Sequence, residues 1–309
     1  MDATIFGLIV ADVIAQPMGL RPPPAPGGLQ VVENVSLTTG GNVCNVGLAM
    51  AKLGMKVAAA GMVGRDVLGA AVLEALQKGG MDTSAVLTTE KAQTSATVVA
   101  VEPGGERCFF HNPGATPLLD ANAFRQCMGM MKRSKFVQVG YFGLLPTITP
   151  DLAGLLGELK AAAPRTRIAL DTVNPPAAAE LLWPILRHVD IFAPSRTEAA
   201  ALTGEREPDR MVAAFRKYMP GGLIGIKLDA EGCYLDDGKK TVTVPACKIQ
   251  VVDTTGAGDT WFGAMLTALS HQMPLEQAGR FANRAAADCC TALGASAGVK
   301  TFQETVGRM

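Results

Sequence analysis

Apolar runs of strand length alternate with stretches of helical period through most of the chain, and this alternation restricts the fold more than any other feature. TIFGLIV (4–10), KVAAAGMV (56–63), KFVQVGY (135–141), RIALD (167–171), VDIFAP (189–194) and GLIGIKL (222–228) read as strands. Helical segments are expected near 43–53, 66–78, 150–163, 176–187, 196–203 and 208–218. A strand that is apolar on both faces must be covered on both faces. Runs of this kind joined by helices therefore predict βαβ units around a parallel sheet, an α/β fold.

Two regions break the rhythm. Residues 13–39 contain RPPPAPGG, in which proline removes backbone donors and forbids helix, followed by QVVENVSLTT, whose alternation suits a half-exposed strand. Residues 94–111, TSATVVAVEPGGERCFFH, read as a β-hairpin turning at EPGGE. Together they can form a small sheet beside the main one, either a lid over a site or a surface excursion. The sequence shows no internal repeat and reads as one domain over 1–309 with these two lid segments.

Composition limits the partners. With 48% hydrophobic and 18% charged residues among 309, the chain can bury one large core. Lys+Arg and Asp+Glu number 28 each and no basic tract occurs, which argues against nucleic acid or an anionic membrane as partner. The seven cysteines have no CxxC spacing and sit mostly in apolar runs, as in a reducing compartment, and the three histidines share no metal-ligand spacing. The start MDATIFGLIVADVIA carries Asp2 where a signal peptide has positive charge, and no stretch is long and apolar enough to span a bilayer. The cytoplasm is the expected location.

The glycine motifs carry the chemistry. A phosphate loop of the GxxxxGK[ST] type is absent, because Cys233 stands where the first glycine before GKK (238–240) belongs. GAGDTWFG (256–263) offers GxG, but Trp261 falls where the dinucleotide fingerprint needs a small residue, and no second strand carries Glu276 as a ribose-binding acid. A GxSxG nucleophile elbow is also missing. What remains in VVDTTGAGDT (251–260) is a helix start near Gly256, with Trp261, Phe262, Met265, Leu266 and Leu269 on its buried face. Its first turn leaves the N–H groups of Gly256, Ala257 and Gly258 uncovered by bulky side chains, an anion hole reinforced by the helix dipole. Asp259 in that turn also suits an ordinary helix N-terminal acid. A second glycine-led helix start, TTGGNVCNVGLAMAKLG (38–54), brings Asn42 and Asn45 next to Gly40 and Gly41, where a ligand can approach the backbone; Asn42 equally suits a helix cap.

These two stretches resemble the two signatures of the ribokinase, or PfkB, family of carbohydrate kinases: GGNVCNVGLAMAKLG the first, VVDTTGAGDTWFGAML the second. GMVGRDVLG, GGMDTSAV, APSRTEAAALTG and FANRAAADCCTALGA follow in family order. The resemblance covers nearly the whole chain. It implies a three-layer α/β/α fold with a mostly parallel central sheet and a small β-sheet lid, and transfer of the γ-phosphoryl of ATP to a sugar hydroxyl with Mg²⁺. In that scheme Asp259 is the base, a carboxylate of ordinary acidity suffices, and the amides of Gly256, Ala257 and Gly258 stabilise the transferring phosphoryl.

Other roles are implied residue by residue. Asp12, at the end of the first strand, matches a sugar-binding aspartate, with Gly41, Asn42 and Asn45 lining the same pocket. Glu198 in PSRTE matches a glutamate that organises Mg²⁺ through water. Ser195, Lys227, Asp229 and Asn283 fall on nucleotide positions, Ser195 replacing an asparagine and Asp229 a glycine. Asp253, with carbonyls of TALGASAG, matches a site for a monovalent cation, commonly K⁺, although Gly298 stands in place of a serine. Lid pairing between two subunits is common in the family, and the alternation at 30–37 permits a homodimer.

Departures from the family pattern bear on the acceptor. The lysine that ribokinases often carry in the first signature is Asn42, and the acid many of them have after the mid-chain strand is absent around Gly140 and Tyr141. Ribose is therefore not assured, and the scarcity of basic residues near the sugar motifs disfavours a phosphosugar. A nucleoside kinase using the same pocket and an idle sugar-binding or regulatory protein compete with the sugar kinase. The intact GAGD argues against the idle protein, whereas Ser195 and Asp229 argue for it.

Overall fold

The computed structural model describes all residues except 21–24, 104–105 and 174–178. Parts of three sequence expectations, the proline run at 21–28, the hairpin turn at 102–106 and the start of the helical segment at 176, lie outside the described residues. In chain order the strands are β1 (Ala3–Phe6), β2 (Val10–Gln16), β3 (Asn34–Gly40), β4 (Val57–Gly64), β5 (Asp82–Thr89), β6 (Ser95–Val101), β7 (Arg107–Asn112), β8 (Phe136–Phe142), β9 (Arg167–Thr172), β10 (Ile191–Phe192), β11 (Leu223–Lys227), β12 (Cys233–Asp236) and β13 (Thr241–Val244). The helices are α1 (Gly41–Lys52), α2 (Val67–Lys78), α3 (Ala121–Met131), α4 (Leu152–Ala162), α5 (Leu182–Leu186), α6 (Arg196–Thr203), α7 (Pro208–Arg216), α8 (Ala257–Ser270), α9 (Leu275–Cys289) and α10 (Phe302–Val306).

The main sheet has the order β13-β12-β11-β10-β9-β8-β1-β4-β5, parallel from β11 to β5, with β12 and β13 antiparallel at one edge. Strands such as β1 and β4 are buried on both faces, so helices must cover both. Helices α1, α2, α8 and α9 pack on one face around Met50, Phe262 and Phe281. Helices α3 to α7 pack on the other around Phe6, Phe124, Phe192 and Phe215, where Phe6 and Phe124 meet edge to face at 5.1 Å. Each fully buried phenylalanine contributes about 1.5–3 kcal/mol relative to exposure, which is ample reason for the sheet to be covered twice. The expected three-layer α/β/α fold is the one observed. Strands β5, β12 and β13 and helices α3, α9 and α10 lie outside the elements expected from the pattern. Among the described residues no helix is long and apolar enough to cross a membrane.

The first apolar run is two strands. β1 ends at Phe6, Gly7 breaks the chain direction with φ 147, and β2 departs into a separate four-stranded sheet of order β3-β2-β6-β7. Asp12 consequently sits inside β2 of the small sheet, not at the carboxyl end of a core strand. Pairing of Asp12 with Thr38 and Thr97, and of Thr97 with His111, sets the parity of this sheet. Side chains two apart share a face, so Asp12, Ile14, Ser36, Thr97, Val99 and His111 line one side. Leu37, Val13, Val98 and Phe110, paired in one row across the four strands, form the other.

Candidate active site

The carboxyl ends of β8, β9 and β11 meet the amino ends of α1, α6 and α8 at the carboxyl end of the main sheet, the place where a parallel sheet leaves a crevice. Helix α8 starts from Gly256, whose left-handed backbone (φ 74) turns the incoming loop into the helix axis. A Cβ there would lie 2.6 Å from Ala295, so only glycine fits. The amides of Gly256 and Gly258 donate to none of the described groups. The Ala257 amide instead bonds the Thr254 carbonyl at 3.2 Å. The expected anion hole thus presents two open amides, because a turn closes over 254–257 before the helix begins.

Asp259, in the first turn of α8, is buried. Its Oδ2 accepts the Asn45 amide at 2.9 Å and the Tyr141 hydroxyl at 2.7 Å, while Oδ1 accepts from none of the described groups. Burial pushes the Asp259 carboxyl above the usual carboxylate range, against the hydrogen bonds of Tyr141 and Asn45 and the Lys227 charge. Asn45 and Tyr141 belong to the wall of a cavity of about 530 Å³ between the small sheet and the carboxyl end of the main sheet, which Asp12, Gly41, Thr97 and His111 also line. Burial raises the Asp12 carboxyl, with the Thr97 hydroxyl and His111 opposing. Gly40 and Gly41 are backed by Asp12 and the Leu8 carbonyl, so close that a Cβ would lie 2.1 Å and 2.5 Å from them.

Two residues that the sequence reading missed complete the site. One is Tyr141 and the other is Asp171, which follows the apolar run 168–170 of β9 and pairs with the Lys227 ammonium at 3.0 Å. The ammonium lies 3.6 Å from where a Cβ on Gly258 would stand, beneath the first turn of α8. Burial alone would lower the Lys227 pKa, but the charges of Asp171, Glu198 and Asp259 outweigh it and hold the side chain cationic. Burial lifts Asp171 to about 7, with Asp259 and Glu198 adding to it and Lys227 opposing. A carboxylate following an apolar run was the available signal for Asp171. Lys227, expected at the nucleotide, is bound into this charged cluster.

Ser195 caps α6. Its hydroxyl accepts from the Glu198 amide at 3.3 Å, and Glu198 Oε2 in return accepts from the Ser195 amide at 2.7 Å and the Thr172 hydroxyl at 2.9 Å. Glu198 Oε1 accepts from none of the described groups. Among the described residues no three His, Cys, Asp or Glu side chains cluster as a metal cage. A single open carboxylate oxygen fits Mg²⁺, which is commonly held by one or two carboxylates together with water and substrate phosphates.

Asp253 does not fit a monovalent cation. Its Oδ1 accepts from the Thr255 amide at 2.9 Å, and its Oδ2 from the Gly294 amide at 2.8 Å and the Arg107 guanidinium at 2.8 Å. Burial would raise its pKa, yet Arg107 and the two amides hold it well below the usual range. The positive charge a cation would bring is already supplied by Arg107, which also donates to the Thr255 hydroxyl.

Two expected ligands, Asn42 and Asn283, have their amides engaged by the fold. Asn42 is fully buried: Oδ1 accepts from the Leu8 amide at 2.8 Å, and Nδ2 donates to the Phe6 carbonyl at 3.1 Å and to Gln138 at 3.2 Å. It braces the break between β1 and β2 and does not line the cavity. Asn283 accepts from the Trp261 indole at 2.9 Å and donates to the Val244 and Pro245 carbonyls at 3.0 Å each, so its amide joins α9, α8 and β13. Asp229 is exposed in a one-turn 3-10 segment with a left-handed backbone (φ 52), a conformation that favours the glycine the resemblance implied there.

The chain matches the model of the pfkB family of carbohydrate kinases over residues 2–301. It belongs to this family. The pfkB-family chain is 30% identical over 308 residues to the ribokinase of Haemophilus influenzae, covering 98% of this chain and 96% of that protein. It is 30% identical over 307 residues to the probable fructokinase-5 of Arabidopsis thaliana, covering 94% and 91%. Its fold matches that of Arabidopsis thaliana ribokinase, solved with ribose and ATP, at a TM-score of 0.81 and 23% identity over 99% of this chain and 97% of that one. As a pfkB carbohydrate kinase, the protein is a phosphotransferase acting on sugars.

Proposed function

We propose that the protein moves the γ-phosphoryl of ATP to a hydroxyl of a small neutral sugar, with Asp259 as the base. The observation that carries this reading is the arrangement of Asp259 itself. One carboxylate oxygen is held by Asn45 and Tyr141 at the cavity wall, and the other accepts from none of the described groups, in the same first turn of α8 that begins with the bare Gly256 and Gly258 amides. The acceptor oxygen attacks the γ-phosphorus, the bond to the β–γ bridging oxygen breaks, and ADP leaves. The acceptor proton passes to Asp259 Oδ1 as the new bond forms. Charge on the transferring phosphoryl meets the Gly256 and Gly258 amides and the Lys227 ammonium. When bound, Mg²⁺ supplies charge neutralisation on the phosphates, and Glu198 Oε1 is the oxygen suited to orient its water.

Cavity chemistry supports a neutral acceptor. Asp12, Asn45, Thr97 and His111 offer partners for hydroxyls, while Arg107, the sole Arg or Lys among the described lining residues, is already committed to Asp253. A sugar phosphate would lack a free cation there. The small sheet is read as the lid of a single kinase domain, with its outer apolar face paired on a second copy. Need for ATP and seven unpaired cysteines support a cytoplasmic enzyme.

A coupled assay of ATP consumption across D-ribose, D-fructose, other free sugars and nucleosides tests the proposal. Wild type should turn over at least one free sugar, and Asp259→Asn should lose about 10²- to 10⁴-fold in kcat. Turnover of nucleosides alone, or tight sugar binding without turnover, would reject it.

A further inference from the structure

Strand β8 loses its regular pairing next to Asp259. Its partners on β9 run in step to Val139 and resume at Phe142. Between them Tyr141 adopts a left-handed backbone (φ 58), which a residue with a bulky side chain rarely does. Gly140 beside it has no room for a side chain, since a Cβ would lie 2.3 Å from the Asn42 amide. The strand is pinned at Gly140 and turned at Tyr141, which carries the ring into the cavity wall and the hydroxyl to 2.7 Å from Asp259 Oδ2. Backbone strain survives only where the surroundings over-determine it, and here it places a hydroxyl donor on the proposed base.

The same oxygen accepts from Asn45 at 2.9 Å. Two donors from separate elements, β8 and α1, therefore fix the rotation of the carboxylate and leave Oδ1 open. Burial and the Asp259 charge keep the Tyr141 hydroxyl protonated, so it remains a donor. We propose that Tyr141 is a positioning residue for phosphoryl transfer, its hydroxyl and the Asn45 amide together fixing Asp259 so that Oδ1 alone meets the acceptor hydroxyl. The inference rests on the reading of Asp259 as base. It extends that reading to a residue that neither signature contains.

The test compares wild type, Tyr141→Phe and Asp259→Asn with ATP and a free sugar that the wild type turns over, across acidic and neutral pH. The charged groups facing Asp259 are Lys227 from β11, Asp171 from β9 and Glu198 from α6, all retained in Tyr141→Phe. Tyr141→Phe should keep its KM for ATP and its melting temperature while losing about 10- to 100-fold in kcat, because small misplacements of a reacting group cost this much. The acid limb of kcat should move to higher pH, since removing a donor from the charged carboxylate raises its pKa. An unchanged kcat and acid limb, with Asp259→Asn inactive, overturns the role of Tyr141 and leaves Asp259 as base. A loss confined to melting temperature or to KM for the sugar assigns Tyr141 to packing and overturns the role equally. Wild-type rates in Asp259→Asn, or a wild type idle on every free sugar, overturn both readings.

Discussion

Arg107, at the start of β7 in the small sheet, forms an ion pair with Asp253 in the loop that leads into α8, at 2.8 Å. The pair ties the small sheet to the loop that carries the open amides. Asp253 keeps its bonds from the Thr255 and Gly294 amides when the arginine is removed, so Arg107→Gln should cost about 1.5–3 kcal/mol, the usual range for a hydrogen bond to a charged group. The sign with pH follows from the depressed Asp253 pKa. Stability from a carboxylate whose folded pKa is depressed is full above its unfolded pKa and is lost as pH falls through the folded one. The difference between wild type and Arg107→Gln should therefore hold at neutral pH and shrink below about pH 4. Thermal melts over that range check it, and amide exchange should speed up in β6 and β7 of the variant.

How much of this was legible in the sequence depended on whether a residue's task is local. The main parallel strands and α1, α2, α4, α6 and α7 follow from period and length. Strand β5 was hidden because DTSAVLTT at the sheet edge is mostly polar and only partly buried. β12 and β13 are four residues each, too short to show a period. Asp259 was legible because its neighbours in sequence make the helix start that defines it. Tyr141 and Asp171 were not, because their partners lie 118 and 56 residues away. Asn42 and Asn283 misled for the reverse reason: an amide at a motif position suits a ligand or a buried brace equally, and only the partners distinguish them.

Asn42 gives a prediction that separates those two tasks. Its amide serves three groups in a fully buried position, including both backbone groups at the break between β1 and β2. Asn42→Ala would strand the buried Leu8 amide without a partner and remove a donor from the Phe6 carbonyl, and an orphaned buried group costs about 1–3 kcal/mol. Denaturant unfolding should show a loss of that order or greater, while KM for the sugar in the folded fraction stays within a few-fold of wild type. A large rise in KM with unchanged stability would return Asn42 to the sugar pocket.

The outer face of the small sheet bears on assembly. Leu37, Val13, Val98 and Phe110 stand in one cross-strand row, and Leu37, Val98 and Phe110 are 47%, 44% and 58% exposed. A contiguous apolar stripe on a sheet whose opposite face lines the cavity is costly to leave in water, which is the ground for proposing it as the surface that pairs with a second copy. Pairing of two such faces would also brace the cavity wall from behind, linking assembly to the order of the lid. Sedimentation velocity should find the wild type as a dimer at micromolar concentration and Leu37→Glu/Phe110→Glu as a monomer, because each buried carboxylate would lack a partner across the contact. The monomeric variant should show faster amide exchange along β2 and β6. A wild type that sediments as a monomer, or a variant that remains dimeric, would remove the small sheet from the interface.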